Sequence, residues 1–469
     1  MSENREPIFE NEDFLLLLQK YEKMKKDTKS VFFDVEEFEQ IIDYFLDDMQ
    51  FEAATEAAQL GFAQHPASVE IKYKVVHIFM EQGHAKKALK VLDEIPGWEH
   101  SNSEFHFLYG TALCQSGKMH EAEKSFDHAL SIATEDIFEA LQNIAIAFEN
   151  ARNFRLAIKY LEQAYKLYPD NLSVLYDLGY FHEREDKFEE SISFYEQYLD
   201  YDPFSENVWY NLGVVFFKTD HPEKAIDAYE YSIALNPDYA SAYFNKANVW
   251  ASMSRFDKAI ESFKEFIEIE PTSTQAYSFL GDCYEQIENY DDALASYQKV
   301  IEVDNTEPEG WFGAGMIYYQ KSEFKQAITY ILKALDFDGQ NLDYWLNLGY
   351  VYEEDGKSGE AIKCYRHITK LDNTDKEAWL ALTSLTMKEG DFDISLDLLR
   401  EAYTEFPDDD SINARLAICH YKLDALSLCL RFLESALKNN HRAYSEFEYY
   451  IPSDLQNTAV KKLILQYKH

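Results

Sequence analysis

The sequence predicts an all-α solenoid of about twelve helix-turn-helix repeats of 34 residues, with a capping helix at each end. Three observations lead to this fold class. Apolar residues recur at the spacing of amphipathic helices, small residues recur at a fixed period, and prolines stand where each unit must end. A helical hairpin of this size leaves apolar flanks uncovered, so it needs neighbours of the same kind.

The stretch from Glu206 to Tyr239 shows one repeat most clearly, and its residues are numbered here as positions 1 to 34. Positions 4, 7, 8 and 11 of its first helix are Trp209, Leu212, Gly213 and Phe216. At about 100° per residue these side chains cluster on one side of a helix. Gly213 in the first helix and Ala225 in the second are expected to be small because two helix backbones approach closely where they cross. Pro222 can open the second helix, and Pro237 ends the unit.

Position 20 marks the period along the chain. It is occupied by Ala54, Ala88, Ala122, Ala157, Ser191, Ala225, Ala259, Ala293, Ala327, Ala361, Ser395 and Cys429. Successive steps are 34 residues, except one of 35 between Ala122 and Ala157. Glycine or alanine also recurs at position 8, tryptophan or tyrosine at position 4 and proline at position 32. Four independent markers in phase indicate one repeated structural unit.

This combination of period, tryptophan, glycine, alanine and proline resembles the tetratricopeptide repeat family over residues 35–443. The repeats are predicted at 35–68, 69–102, 103–137, 138–171, 172–205, 206–239, 240–273, 274–307, 308–341, 342–375, 376–409 and 410–443. The resemblance implies one right-handed superhelical solenoid of antiparallel helix pairs, with a concave face formed by the first helices. It also implies a function, because members of this family mostly bind proteins or peptides in that groove.

Both ends of the chain are expected to cap this array. Residues 1–34 comprise an N-terminal segment and a capping helix over 11–28, with Asn11 as its N-cap. Residues 444–469 are expected to hold a C-terminal capping helix that Ser453 begins and that runs to about Tyr467. In the second repeat Pro96 comes four residues early, so its second helix should be short.

The composition excludes several classes of partner. The 469 residues carry a net charge of −41, which argues against nucleic acid or an anionic membrane surface. No apolar run is long enough to cross a membrane, and the acidic N-terminus does not read as a signal peptide. Five unpatterned cysteines indicate small buried residues in a reducing compartment, so the expected location is the cytoplasm.

No active-site pattern stands out from the repeats. The run Gly356-Lys357-Ser358 lacks the first glycine of a phosphate-binding loop and falls in a repeat turn. The run from Asp336 to Gly339 is better explained as a turn than as a calcium loop. His182 and His420 stand at position 11, where packing is the better interpretation. We therefore expect no catalytic residue, no metal and no cofactor.

The side of the first helix opposite the apolar stripe is the expected binding surface. Positions 2, 5, 9, 12 and 13 form it and position 6 borders it; together they are called the groove surface here. Its central aromatic residues are Tyr176, Tyr180, Tyr210, Phe217 and Phe244. Exposed aromatic side chains are typical anchors for a protein partner. The alternative is that positions 5 and 12 pack against the first helix of the next repeat.

A row of amide side chains accompanies these aromatics. It consists of Asn143, Asp177, Asn211 and Asn245 at position 6, with Asn248 at position 9. An amide offers a donor and an acceptor, so such a row can hold an extended peptide backbone. The row is interrupted at Phe279 and Gly313, which limits its length. The alternative is that these amides are ordinary solvated helix-surface residues.

These observations predict a non-enzymatic scaffold that binds a neutral to basic protein or peptide segment. One alternative is self-association, in which a basic, apolar end helix docks on another copy and a homo-oligomer forms. Another is a regulatory subunit for a separately encoded enzyme. The sequence does not choose the partner.

Overall fold

The computed structural model describes residues 12–27, 31–134, 136–452 and 456–467. All regular elements in these ranges are helices, so the predicted all-α class is confirmed. Within the same ranges, no helix is both long enough and apolar enough to cross a membrane. The chain divides into two compact units, one ending at Leu235 and the other beginning at Asn236.

The first unit consists of consecutive antiparallel helix pairs preceded by one further helix. Its α-helices are α1 (Glu12–Asp27), α2 (Val35–Asp47), α3 (Phe51–Gln64), α4 (Val69–Glu81), α5 (Ala85–Asp93), α6 (Ser103–Gln115), α7 (Met119–Ile132), α8 (Ile137–Asn150), α9 (Phe154–Leu167), α10 (Leu172–Arg184), α11 (Phe188–Tyr201), α12 (Glu206–Lys218) and α13 (Pro222–Leu235). Helix α5 ends early, as Pro96 predicts, and a short 3-10 helix follows at Gly97–Ser101.

The second unit continues the pairs and closes with two further helices. Its α-helices are α14 (Ala240–Ser252), α15 (Phe256–Ile269), α16 (Thr274–Gln286), α17 (Tyr290–Val303), α18 (Pro308–Gln320), α19 (Phe324–Phe337), α20 (Leu342–Glu354), α21 (Ser358–Leu371), α22 (Lys376–Lys388), α23 (Phe392–Glu405), α24 (Asp410–Lys422), α25 (Leu426–Asn439), α26 (Tyr444–Tyr450) and α27 (Thr458–Tyr467). A 3-10 turn at His441–Ala443 precedes α26.

A residue with left-handed backbone follows the first helix of each pair. These residues are Met49, Gly83, Gly117, Arg152, Asp186, Asp220, Ser254, Glu288, Ser322, Gly356, Gly390 and Asp424, with φ between 52° and 86°. This conformation ends a helix and allows the chain to reverse. Only four of the twelve are glycine, so residue type alone does not reveal the position. Gly356 is one of them, which explains the glycine in the Gly356-Lys357-Ser358 run as a turn residue.

The small residue at position 8 makes room for an aromatic ring from the second helix. A Cβ on Gly213 would lie 2.7 Å from Cε1 of Tyr229, at position 24 of the same repeat. The same pairing occurs for Gly110 with Phe126, Gly179 with Tyr195, Gly281 with Tyr297 and Gly349 with Tyr365. At Gly213 the residue is therefore small because of the Tyr229 ring, and not because two helix backbones approach each other as expected. That expectation holds at Gly315, where a Cβ would lie 3.3 Å from the carbonyl oxygen of Ala327.

The first helices are buried on two sides rather than one. Val208 and Val215, at positions 3 and 10, are completely buried although they lie outside the predicted stripe. The reason is that α12 packs against α11 as well as α13. A stripe on each side leaves only a narrow strip of the first helix for the groove surface.

Tryptophan at position 4 joins each first helix to the turn before it. The Trp209 indole donates a hydrogen bond to the carbonyl oxygen of Pro203, at 2.9 Å. The same bond links Trp311 to Asn305, Trp345 to Gly339 and Trp379 to Asn373, and the Asn413 amide reproduces it with Pro407. Position 4 is thus a polar connection as well as part of the apolar stripe.

The end helices cover the neighbouring pairs. Helix α1 buries Phe14, Leu17 and Tyr21, while Leu15 and Leu16 stay exposed. Helix α27 buries Val460 and Ile464 and contacts α25. It begins at Thr458, and the short helix α26 before it was not predicted. The expected cap residues Asn11 and Ser453 lie outside the described residues.

Candidate functional site

The structure places the predicted site residues on four first helices. In the first unit these are Asn143 on α8, Tyr176, Asp177 and Tyr180 on α10, and Tyr210, Asn211 and Phe217 on α12. In the second unit they are Phe244, Asn245 and Asn248 on α14. Each is at least partly accessible, because these positions lie between the two buried stripes of their helix.

Tyr176 and Asn211 form the centre of the groove surface in the first unit. The Asn211 side-chain amide donates a hydrogen bond to the Tyr176 hydroxyl at 3.2 Å. Beneath them lies the completely buried Tyr195, whose ring centroid is 6.2 Å from that of Tyr176. The Tyr195 hydroxyl has no hydrogen bond of good geometry, although Asn211 is close enough to influence its pKa. A buried hydroxyl without a partner is costly, so the packing of the ring, and not a hydrogen bond, holds Tyr195 in this place.

Asp177 occupies the place that asparagine takes in the neighbouring repeats. Burial by the surrounding protein, reinforced by the negative charge of Glu149, raises the pKa of Asp177 to about 6. The carboxyl group therefore carries a proton more readily than an ordinary aspartate does. In that form it offers a donor and an acceptor, as an asparagine side chain does.

Glu183 and Lys218 connect α10 to α12 along the edge of the same surface. The Lys218 ammonium lies 2.9 Å from Oε1 of Glu183, and the Glu183 side chain is buried. Because Lys218 is paired with this glutamate, its positive charge is largely compensated. The groove surface here presents polar and aromatic groups rather than a basic strip.

The aromatic candidates differ in how much of each ring is covered by packing within the chain. Phe217 is 39% exposed, whereas Tyr210 lies 5.8 Å from the Tyr229 ring and is half-buried. Phe244 is surrounded by other rings, at 5.6 Å from Phe263, 5.2 Å from Phe266 and 5.7 Å from Phe279. Phe279 belongs to the first helix of the next pair, so the Phe244 ring contributes to the packing between repeats. Phe217 is the more accessible aromatic candidate.

Asn143 lies at a separate small cavity in the first unit. It is exposed and lines a cavity of about 240 Å³ together with Phe107, Leu130 and Glu104. Asn245 and Asn248 are half-buried on α14 in the second unit. Asn143 is therefore the most accessible of these three amides.

Tyr195 and Glu183 complete the site and were not predicted. Tyr195 comes from the second helix, whose side chains the sequence pattern assigns to the core. A usable signal exists, because tyrosine at position 24 accompanies glycine at position 8 in four repeats. That pairing allows the ring to pass between the two helices and its hydroxyl to approach the groove surface.

His182, His420 and the cysteines are used in packing. The His182 ring stacks on Phe194 at 5.4 Å and the His420 ring on Phe432 at 5.5 Å, and burial lowers the pKa of both. All five cysteines are free and buried. Within the described ranges, no three His, Cys, Asp or Glu side chains lie close enough together to hold a metal ion.

Comparison with known families supports the repeat pattern. Models described as tetratricopeptide repeat match residues 104–170, 143–206, 206–239 and 240–273, a span that includes all candidate groove residues. A model described as intraflagellar transport protein 56 matches residues 277–449. A comparison with curated proteins found no match.

Several solved structures are similar to parts of the chain. A crystal structure of MamA is 31% identical over 34% of this chain and 95% of its own, with a TM-score of 0.34. The C-terminal part of a tetratricopeptide repeat protein from Cytophaga hutchinsonii is 17% identical over 51% of this chain and 98% of its own, with a TM-score of 0.46. A tetratricopeptide repeat protein from Parabacteroides merdae is 17% identical over 53% and 98%, with a TM-score of 0.40.

Proposed function

The chain belongs to the tetratricopeptide repeat family, and on this basis we propose that it is a non-enzymatic scaffold for a partner polypeptide. Repeats of this family generally mediate interactions between proteins. The partner is a protein or peptide segment of neutral to basic character, bound on the groove surface of the first helices. The expected site of action is the cytoplasm.

The observation that carries the proposal is the polar group around Asn211 in the first unit. Asn211 and Tyr176 are hydrogen-bonded to each other at a half-exposed surface, with the unsatisfied Tyr195 hydroxyl below. An extended segment offers a backbone N–H and C=O at regular intervals, and the half-buried Asn211 amide and Tyr176 hydroxyl can bond to such groups. The neighbouring Tyr180 and Phe217 provide apolar contact area for its side chains.

The charge of the chain supports a neutral or basic partner. The net charge is −41, and the groove surface of the first unit includes Asp177 and Glu183. Its lysine, Lys218, is already paired with Glu183. An acidic segment would meet repulsion from the overall negative field, whereas a basic one gains from that field.

Self-association through the end helices is less well supported. The apolar residues Phe14 and Tyr21 of α1 are buried within the same chain. Lys20 pairs with Glu37 at 3.0 Å, and Lys25 pairs with Glu56. An end helix that already uses its apolar stripe and its charges in its own chain has less to offer a second copy.

The proposal is tested by capture of partners from a cell lysate with the full chain. The test variant combines Tyr180→Ala, Asn211→Ala and Phe217→Ala, three partly accessible residues on α10 and α12. Phe244 is left intact because its ring is part of an aromatic cluster. We expect partners bound by the wild type to be lost from this variant, while circular dichroism shows unchanged helix content.

A matched control removes the same side-chain types away from the groove surface. It combines Tyr201→Ala and Phe204→Ala, which are 59% and 75% exposed, with Asn305→Ala, an exposed residue of the loop before α18. This control should keep the partners. If the groove variant retains them, or if the control loses them equally, the groove surface does not bind the partner. An enzyme activity that co-purifies with the wild type alone would instead favour the regulatory-subunit alternative.

A further inference from the structure

A second concavity on the groove surface lies in the second unit, between α16 and α18. Its volume is about 620 Å³, and helix α17 and Asn347 of α20 complete its lining. The sequence gives no hint of it, because the amide row is interrupted there by Phe279 and Gly313 at position 6.

Aromatic and aliphatic side chains form the walls of this cavity. Phe279, Val300, Phe312, Met316 and the ring of Tyr297 line it. These walls are held by packing among themselves and with neighbours. The Phe279 ring stacks on Phe263 at 5.9 Å, and the Phe312 ring stacks on Tyr344 at 4.4 Å. The cavity is therefore formed before any ligand arrives.

Gly313 keeps the cavity open. A Cβ at this position would lie 2.4 Å from Cε1 of Tyr297, so any larger residue would displace that ring. In five other repeats an asparagine or aspartate side chain stands at the same position 6, for example Asn211 and Asn347. The absence of a side chain at Gly313 lets the buried Tyr297 ring pack against the backbone of α18, where it contributes to the lining of the cavity.

Four carboxylates surround the apolar walls, and no lysine or arginine lines the cavity. They are Asp282, Glu285, Glu307 and Glu309. Within the described residues, none of them forms a salt bridge at 4.0 Å or less. Asp282 accepts a hydrogen bond from the Tyr297 hydroxyl at 2.6 Å, which fixes its orientation.

The protein around these carboxylates makes their negative charge costly. Desolvation raises the pKa of Asp282, Glu285 and Glu307 above the usual range for carboxyl groups. Asp282 itself stays open to solvent at the cavity mouth, so a ligand can reach it. A cation placed between these groups would compensate their charge.

We propose that this cavity receives an arginine side chain of the partner segment. The inference rests on the proposed function, of which it specifies one anchor. A guanidinium group is flat, so it stacks on aromatic faces such as Phe279 and Phe312 while its N–H groups bond several carboxylates at once. A lysine ammonium can pair with the carboxylates but has no flat face for the rings. A neutral apolar side chain would cover the carboxylates without compensating their charge.

The test uses the full chain labelled with carbon-13 at its methionine methyl groups. Met316 lines the cavity, and its signal is identified by comparison with Met316→Leu. The probes are N-acetyl-arginine amide, N-acetyl-lysine amide and N-acetyl-citrulline amide, the last being a neutral analogue of arginine with nearly the same shape. We expect the arginine probe to shift the Met316 signal at concentrations about tenfold lower than either of the other two.

A charge-matched pair of variants separates the cavity from the general acidity of the chain. Glu285→Gln with Glu309→Gln should weaken the arginine probe about tenfold or more. Glu261→Gln with Glu268→Gln removes two exposed carboxylates of α15 and should leave its binding unchanged. Asp282 is not replaced, because it holds Tyr297.

The inference is overturned if citrulline or lysine binds as well as arginine, if arginine leaves Met316 unmoved, or if both pairs of variants behave alike. Any of these results contradicts the arginine site alone. The proposed function still holds if the variant Tyr180→Ala, Asn211→Ala and Phe217→Ala loses the partner. The reverse outcome, a responsive cavity with partner capture unaffected by that variant, would mean that the first-unit site is wrong while the cavity binds arginine.

Discussion

The ring of Tyr229 lies directly over Gly213, with Cε1 2.7 Å and Cδ1 2.8 Å from the place where a Cβ would stand. Tyr229 is buried, so it cannot swing into solvent to make room. The glycine in the first helix and the aromatic residue in the second are therefore one packing unit. The same relationship in four further repeats makes it a recurrent feature of the chain.

Gly213→Ala should destabilise the first unit by about 1–3 kcal/mol, because the new methyl group overlaps a ring that has no free space. Urea denaturation followed by circular dichroism measures the effect. Gly359→Ala is the control, since nothing lies within 4 Å of a Cβ there. This control should be neutral or slightly stabilising, because alanine is the better helix former.

A second variant tests the reason for the Gly213 effect. The fourth predicted repeat combines Ala145 with Leu161 at the same two positions, and both are buried. Copying that combination as Gly213→Ala with Tyr229→Leu should destabilise less than the sum of the two single substitutions. Strict additivity in this double-mutant cycle would show that the ring is not what excludes the methyl group.

Asp177→Asn should stabilise the fold at pH 7. The folded-state pKa of Asp177 is about 6, whereas the group titrates near 4 in an unfolded chain. The folded protein thus binds more protons between these values, and its stability falls as the pH rises from about 4 to 6. The advantage of the variant should be absent below pH 4 and reach a plateau above pH 6, as measured by urea denaturation across this range. The exposed Asp227→Asn should show no such trend.

Trp345→Phe should cost about 1 kcal/mol, the usual net value of one hydrogen bond. The substitution keeps an aromatic ring but removes the indole N–H that donates to the carbonyl oxygen of Gly339 at 2.9 Å. Thermal or urea denaturation gives the difference. Trp98→Phe serves as the comparison, because Trp98 is 69% exposed. Equal effects of the two substitutions would contradict a role for the indole hydrogen bond.

The five thiols should be unreactive towards an alkylating reagent at pH 8 while the protein is folded. Burial raises the pKa of Cys283 to about 11 and that of Cys114 to about 12, and the reactive form is the thiolate. In denaturant all five should react, as counted by mass spectrometry. The exposed Gln286→Cys provides a reactive reference in the folded protein. Rapid modification of any native cysteine would show that the chain opens locally at that residue.

The sequence pattern was a good guide to helices and a weaker guide to side-chain roles. The apolar positions of α12 were recognised, yet Val208 and Val215 were not, because one hairpin shows only its own contacts. The groove candidates Tyr176 and Asn211 prove to be hydrogen-bonded neighbours. Phe244, by contrast, is held among three rings of the two following helices, α15 and α16. Exposure of an aromatic residue cannot be read from its position in one helix when the next repeat supplies the covering group.

The amino-acid sequence by itself determined the helical class, the 34-residue period and the family, because these depend on spacing along the chain. Only the tertiary structure decided why Gly213 is a glycine, that the Tyr195 hydroxyl lies beneath the groove surface, and that four carboxylates meet around an apolar cavity at Tyr297. Each of these features joins residues of different helices. Their distances depend on how side chains interlock in three dimensions, which a repeating pattern does not encode.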